Sequence, residues 1–112
     1  MGKKVVGAAA SNDHTAVWTE AGELFTFGSG LSGRLGHGGE ENVLAPRLVD
    51  ALAGLNVIGA SAGVTHTVVW TEEEDVFTFG SGKHGKLGHG GEEGALVPKL
   101  VDAPDFRPNF KG

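Results

Sequence analysis

The chain matches itself when displaced by 52 positions, which restricts it to folds that repeat one small unit. The displacement sets His14 on His66, Trp18 on Trp70, Phe25 on Phe77, Gly36 on Gly88 and Pro46 on Pro98, with no gap. Residues 5–51 against residues 57–103 give 30 identities in 47 pairs, so the two copies must share one backbone and differ only where it leaves a choice. The expected units are residues 1–52 and 53–103. Residues 104–112 depart from the repeat and are expected to be a linker or an added strand.

Inside each copy the pattern is that of strands. Val5–Ala10, His14–Thr19 and Leu24–Gly28 are short β-compatible runs, separated by Ser-Asn-Asp and Glu-Ala-Gly, which favour turns. Their counterparts are Val57–Ala62, His66–Thr71 and Val76–Gly80. A fourth strand is expected at residues 47–49 and 99–101, each led by a proline, which lacks an N–H and suits a strand start or a sheet edge. No ten-residue stretch holds a helical period, since Gly54 interrupts the one candidate at residues 50–55. The expected fold is all-β, two four-stranded antiparallel blades of a β-propeller type. Residues 7–10 and 59–62 are small, as a crowded innermost strand requires. Bulk lies on the next two strands, where Trp18, Trp70, Phe25, Phe27, Phe77 and Phe79 are expected to interdigitate between blades, with Phe27 and Phe79 buried alike.

Composition supports architecture over chemistry. The chain has twenty glycines where usual usage of ~7% would give about eight, so glycine is doing geometric work. A formal charge of -5 argues against a surface that neutralises phosphates, and direct nucleic-acid binding is not expected. Without cysteine there are no disulfides or thiolate metal sites, and thiol usage leaves the compartment open. Met1-Gly2-Lys3-Lys4 leads only into a short Val/Ala run ended by Ser11-Asn12-Asp13-His14, so neither a signal peptide nor a membrane span is expected. We expect an intracellular protein, of cytoplasm or nucleus.

The residues themselves resemble the repeat of the regulator of chromosome condensation family: His-Thr-x-x-x-Thr, an aromatic strand ending in Gly, then Gly-x-Leu-Gly-x-Gly. Here these read His14-Thr15-Ala16-Val17-Trp18-Thr19, Phe25-Thr26-Phe27-Gly28 and Gly33-Arg34-Leu35-Gly36-His37-Gly38, and they recur 52 positions later. The resemblance covers about 100 of the 112 residues. It implies seven-bladed propellers that act mainly as protein-binding surfaces, among them nucleotide exchange on the small GTPase Ran and docking on chromatin. Fold does not dictate function, and the family's jobs differ. The light-sensing Gly-Trp-Arg-His-Thr motif of one branch has no counterpart, since the equivalent segments read Ser11-Asn12-Asp13-His14-Thr15 and Gly63-Val64-Thr65-His66-Thr67.

Several strings imitate catalytic motifs. Gly28-Ser29-Gly30-Leu31-Ser32-Gly33 has the spacing of a dinucleotide fingerprint, but Gly36, Gly38, Gly39 and Pro46 leave no helix N-terminus for a pyrophosphate, so a tight left-handed loop is expected. His37 with Glu40 and Glu41, and His89 with Glu92 and Glu93, fall short of three or four convergent ligands and are read as solvated loops. His14 and His66 are read as structural, each bonding a neighbouring loop carbonyl. Ser29 and Ser81 lack the Gly-x-Ser-x-Gly elbow. Glu72-Glu73-Glu74-Asp75 is expected to be a solvated hairpin tip. No catalytic residue, cofactor or metal is assigned.

What remains is the surface that differs between copies, because in a repeat scaffold the frame fixes the backbone and exposed loops choose the partner. The expected binding residues are Asn12, Asp13, Leu31, Ser32 and Arg34, with Val64, Thr65, Lys83, His84 and Lys86 in the second copy. The expected function is a non-catalytic protein–protein interaction scaffold. The alternatives are part of an exchange factor for a Ran-like small GTPase, or a self-assembled ring with ligand pockets between blades. The partner expected is a protein, a small GTPase or a chromatin protein by the resemblance, and no membrane. Two blades cover only the face between them, so the chain is expected to oligomerise or to be part of a longer repeat array.

Overall fold

The computed structural model of the chain describes residues 3–83, 86–88, 91 and 93–101. Eight strands form two antiparallel sheets in simple sequence order. The first holds β1 (Val5–Ala10), β2 (His14–Thr19), β3 (Leu24–Gly28) and β4 (Val43–Leu48). The second holds β5 (Val57–Ala62), β6 (His66–Thr71), β7 (Val76–Gly80) and β8 (Ala95–Leu100). These are the two expected blades.

The first three strands of each blade keep their expected bounds, but the fourth does not. β4 and β8 start earlier than residues 47 and 99, and Pro46 and Pro98 lie inside them. Both are edge strands, paired on one side only, and their register slips between Thr26 and Gly28 and between Thr78 and Gly80. An irregular edge accepts a residue without an N–H where a central strand would not. Single 3-10 turns stand at Leu31–Gly33 and Asp50–Leu52.

The aromatic residues meet the expectation in part: Phe79 lies in the core between the sheets, and Trp18 and Phe77 pack against it. Trp18 lies across Gly7, its partner on β1, and Trp70 lies across Gly59 on β5. A Cβ on Gly7 would stand 2.2 Å from Trp18 Cζ2, and one on Gly59 2.2 Å from Trp70 Cε2. Each indole therefore packs down on its own sheet, and the glycine opposite it is obligatory. Between the sheets the core gathers Ala16, Leu24, Val49 and Leu52 with Val57, Ala60, Val69 and Phe79.

Phe27 and Phe79 are not equivalent in burial. Phe79 is fully buried, and a Cβ on Gly36 of the first blade would meet its ring at 2.8 Å. Phe27 lies on the corresponding side of the first blade, the side away from the second, and is half-buried. Val5 is 54% exposed and Val57 2%, for the same reason. Strand alternation explains this: Thr67 and Val69 of β6 face the first blade and are buried, while His66 and Val68 face the other way.

One turn shows how the copies diverge. Gly22 (φ 86) and Glu74 (φ 71) occupy the same left-handed position between the second and third strands. Gly22 is forced twice, since a Cβ there would also come within 2.1 Å of Asn56 Oδ1 in the linker. Glu74 carries only the backbone strain, which costs a residue with a Cβ about 1 kcal/mol. Glu74→Gly is expected to stabilise the chain by up to about 1 kcal/mol, and Gly22→Ala to destabilise it by more than about 2 kcal/mol, both read from urea unfolding midpoints.

Candidate interaction rim and inter-blade latch

Hairpin pairing decides which loops meet. The start of β2 pairs with the end of β3, His14 opposite Gly28, and the Ser29 N–H donates to the Asp13 carbonyl at 2.8 Å. The second blade repeats this with His66 opposite Gly80 and the Ser81 N–H on the Thr65 carbonyl. The turn after the first strand and the loop after the third therefore share one end of each blade. That rim holds Asn12, Asp13, Leu31, Ser32, Arg34, Val64, Thr65, Lys83 and Lys86, which the sequence singled out. His84 lies outside the described residues, as do His89, Glu92 and the tail at 104–112.

Most of these side chains are presented to solvent: Asn12, Asp13, Leu31, Val64, Lys83 and Lys86 are exposed. Arg34 is the exception and corrects the expectation of a free binding residue. It is 3% exposed, its Nε donates to the Leu31 carbonyl at 2.7 Å, and its Nη1 donates across to the Val64 carbonyl at 2.9 Å. The same Nη1 lies 3.7 Å from Asp13 Oδ2. Arg34 ties one blade to the next. Its counterpart Lys86 is exposed and donates from Nζ to Thr65 Oγ1.

Beside this tie runs a relay of hydroxyls and imidazole. Thr67 Oγ1 donates its one hydrogen to the Arg34 carbonyl at 2.7 Å, so it must accept from His14 Nε2 at 2.8 Å. His14 is then neutral with its proton on Nε2, and Nδ1 accepts from the Ser11 hydroxyl at 2.8 Å. Burial lowers the His14 pKa to about 4, helped by the Arg34 guanidinium and opposed by Asp13. In the second blade Gly63 replaces Ser11, and His66 Nδ1 is buried with no hydrogen-bond partner among the described residues. Burial and then Lys86 lower the His66 pKa. His37 is likewise held, its Nε2 2.9 Å from Thr26 Oγ1, which donates to the Leu35 carbonyl; burial and then Arg47 lower its pKa.

These bonds correct two expectations. His14 bonds hydroxyls and not a loop carbonyl, and His37 is a fixed residue, not a merely solvated one. Ser11 and Thr67 escaped notice as functional partners, although the recurrence of His-Thr in both copies was their signal. The other polar feature of the rim is a groove of about 430 Å³ lined by Ser32, Glu40, Ser81, Gly82, Lys83, Gly94 and Leu96. Glu40 Oε1 accepts from the Ser32 N–H at 2.9 Å, and Ser81 Oγ accepts from the Lys83 N–H at 3.3 Å. Among the described residues no group of three or more His, Asp or Glu could hold a metal. The arrangement offers a carboxylate and an ammonium on either side of a shallow groove, flanked by exposed Leu31 and Val64.

Comparison with known proteins follows the geometry. The model of the regulator of chromosome condensation (RCC1) repeat matches residues 21–70 and 73–111, two starts separated by the same 52 positions. Human E3 ubiquitin-protein ligase HERC2 is 43% identical over 104 residues, covering 91% of this chain and 2% of the ligase. Human protein RCC2 is 38% identical over 92 residues, 82% of this chain and 17% of that protein. The chain thus spans a small part of these relatives. Among solved structures, human WBSCR16 superposes with a TM-score of 0.83 at 24% identity over 91% of this chain and 26% of its own. Prp20p of Saccharomyces cerevisiae, whose structure is described together with binding to Gsp1p and histones, gives 0.81 at 19% over the same shares. The superpositions establish the fold.

A depressed histidine pKa fixes a pH response. Unfolded His14 takes up a proton near pH 6.5, while folded His14 resists it to about pH 4, so stability present above 6.5 is lost as pH falls through that interval. The full interval corresponds to roughly 3 kcal/mol for this residue. Urea unfolding is expected to weaken steadily between those pH values, and His14→Gln to flatten the profile while lowering stability at neutral pH.

Proposed function

The chain belongs to the regulator of chromosome condensation repeat family, and on that footing we propose that its blades form a non-catalytic scaffold for binding another protein. Residues 1–52 and 53–103 serve as its working units. One observation carries the proposal: Asn12, Asp13, Leu31 and Arg34, which differ from their counterparts Val64, Thr65, Lys83 and Lys86, lie with them on a single rim, while the other divergent turn, residues 21–23 against 73–75, lies at the opposite end. Ser32 and Glu40 of one blade and Ser81, Lys83 and Leu96 of the next line the groove. Exposed apolar residues beside fixed charges are what a protein partner needs, with burial for affinity and polar groups for register. The acidic and basic residues that line the groove suit a peptide surface better than a phosphate backbone, which needs several cations together.

The ligase activity in the HERC2 name stays with that protein, because the chain matches 2% of it. A small GTPase or a chromatin protein is the partner class we favour, by kinship with the repeat family and by the fold shared with Prp20p, which is described with Gsp1p and histones. Part of an exchange factor for a Ran-like small GTPase is the alternative reading.

The test compares rim with frame. Leu31→Asp combined with Val64→Asp is expected to weaken partner capture at least tenfold while the unfolding free energy moves by no more than about 0.5 kcal/mol. Charge reversal at Glu20 and Glu72, on the opposite end, is expected to leave capture unchanged. The opposite pattern would move the binding surface to the other end. NAD, ATP and GTP are expected to show no saturable binding below about 10 µM, equivalent to roughly 7 kcal/mol.

A further inference from the structure

The loop that follows the third strand differs between the two copies by one internal hydrogen bond. In the first blade the Gly30 N–H is buried and donates to Asn42 Oδ1 at 3.1 Å, which ties the start of the loop to its far end. The equivalent residues of the second blade are Gly82 and Gly94, and a glycine supplies no side-chain oxygen. Gly82 is buried like Gly30, yet among the described residues no acceptor meets its N–H. A buried backbone donor left in that state costs about as much as a lost hydrogen bond, so native chains rarely leave one unpaired.

The place of the missing amide is open. A Cβ on Gly94 would stand 3.7 Å from the Gly82 nitrogen, so a side chain there would pass the donor as Asn42 passes Gly30. Gly82 and Gly94 both line the rim groove of about 430 Å³. Its walls carry one group of each sign: Glu40, whose Oε1 accepts from the Ser32 N–H at 2.9 Å, and Lys83, which stands where the first blade has Leu31. Ser81 Oγ accepts from the Lys83 N–H at 3.3 Å and keeps its own hydrogen to donate, while Leu96 adds an apolar wall.

We propose that this groove takes an asparagine side chain from an extended segment of the protein partner, its carboxamide oxygen on the Gly82 N–H as Asn42 Oδ1 is on the Gly30 N–H. A carboxamide carries an acceptor and a donor on one carbon. The oxygen meets the Gly82 N–H beside Lys83 and Ser81, and the NH2 is left for the Glu40 carboxylate. A carboxylate in the same place would suit Lys83 but oppose Glu40, and an ammonium would do the reverse. The neutral group is the one that both walls accept. Leu31 and Val64, exposed on the same rim, cover apolar residues on either side of the asparagine. The inference rests on the scaffold reading and adds the chemistry that the partner must present.

Amide NMR on the full chain tests it, with capped pentapeptides that hold asparagine, aspartate or alanine at the centre between leucines. The asparagine peptide is expected to move the Gly82 amide signal downfield and to leave that of Gly30 in place. The other two are expected to bind about tenfold more weakly, the loss that one hydrogen bond represents. Gly94→Asn supplies the oxygen from within the chain. It is expected to move the Gly82 signal the same way without peptide, and to weaken the asparagine peptide about tenfold. Because a Cβ at residue 94 would also stand 2.8 Å from the Gly80 carbonyl oxygen, Gly94→Ala controls for the added atom and is expected to leave the Gly82 signal unmoved. An asparagine peptide that does not move the Gly82 signal, or an aspartate or alanine peptide that binds as well, would overturn the proposal, and neither comparison needs a variant to fold. Reduced partner capture by Leu31→Asp with Val64→Asp would in that case still uphold the scaffold reading, so the two fail separately.

Discussion

The hydrogen-bond relay from Ser11 through His14 and Thr67 to the Arg34 carbonyl is the interaction on which the rest of the molecule leans. It joins the turn after β1, the start of β2, the neighbouring blade and the loop after β3 through three consecutive hydrogen bonds. Each member is buried or nearly so, which strengthens the bonds and makes any missing one costly. By pinning the Arg34 backbone, the relay also positions the guanidinium that crosses to Val64. The rim loops are therefore shaped by the contact between blades, not by secondary structure of their own. A surface held in this way keeps its form while its exposed residues vary.

How much of this the chain disclosed in advance depended on whether the cause was local. Six strands were legible because β2 and β3 place branched, aromatic and hydroxyl residues between unmistakable turns, and β1 is defined by their register. The fourth strands were misjudged because Pro46 and Pro98 were taken as starts, whereas a bulged outer edge absorbs them. Phe27 and Phe79 stand in identical sequence but unequal surroundings, and nothing in a repeat reveals which copy has a neighbour. Arg34 misled for the opposite reason. It differs from Lys86 in the alignment of the copies, like a variable surface residue, yet the difference follows from what lies beside each.

The glycines split along the same line between what the backbone needs and what neighbours impose. Gly22 and Glu74 share one left-handed turn, and the substitution was admissible only where Asn56 does not crowd the site. Gly7 and Gly59 have ordinary backbone but no room, because an indole lies on each. Glycine richness in this chain thus has two physical origins, and neither is a phosphate cradle. The string that imitates a dinucleotide fingerprint turns through Ser32 at φ 66 and Gly33 at φ 77, and its N–H groups are taken by the Asp13 and Gly30 carbonyls, Asn42 Oδ1 and Glu40 Oε1.

The indoles carry a further consequence. Each sheet contains one tryptophan packed on the glycine of its own first strand, and Trp18 also packs against the core between the sheets, so Trp18 witnesses the contact between blades as well as its own sheet. Replacing either by phenylalanine leaves a single emitter whose environment changes when that sheet opens. The two emitters together would give the coupling between adjacent units of a linear array directly, as the gap between their two melting curves.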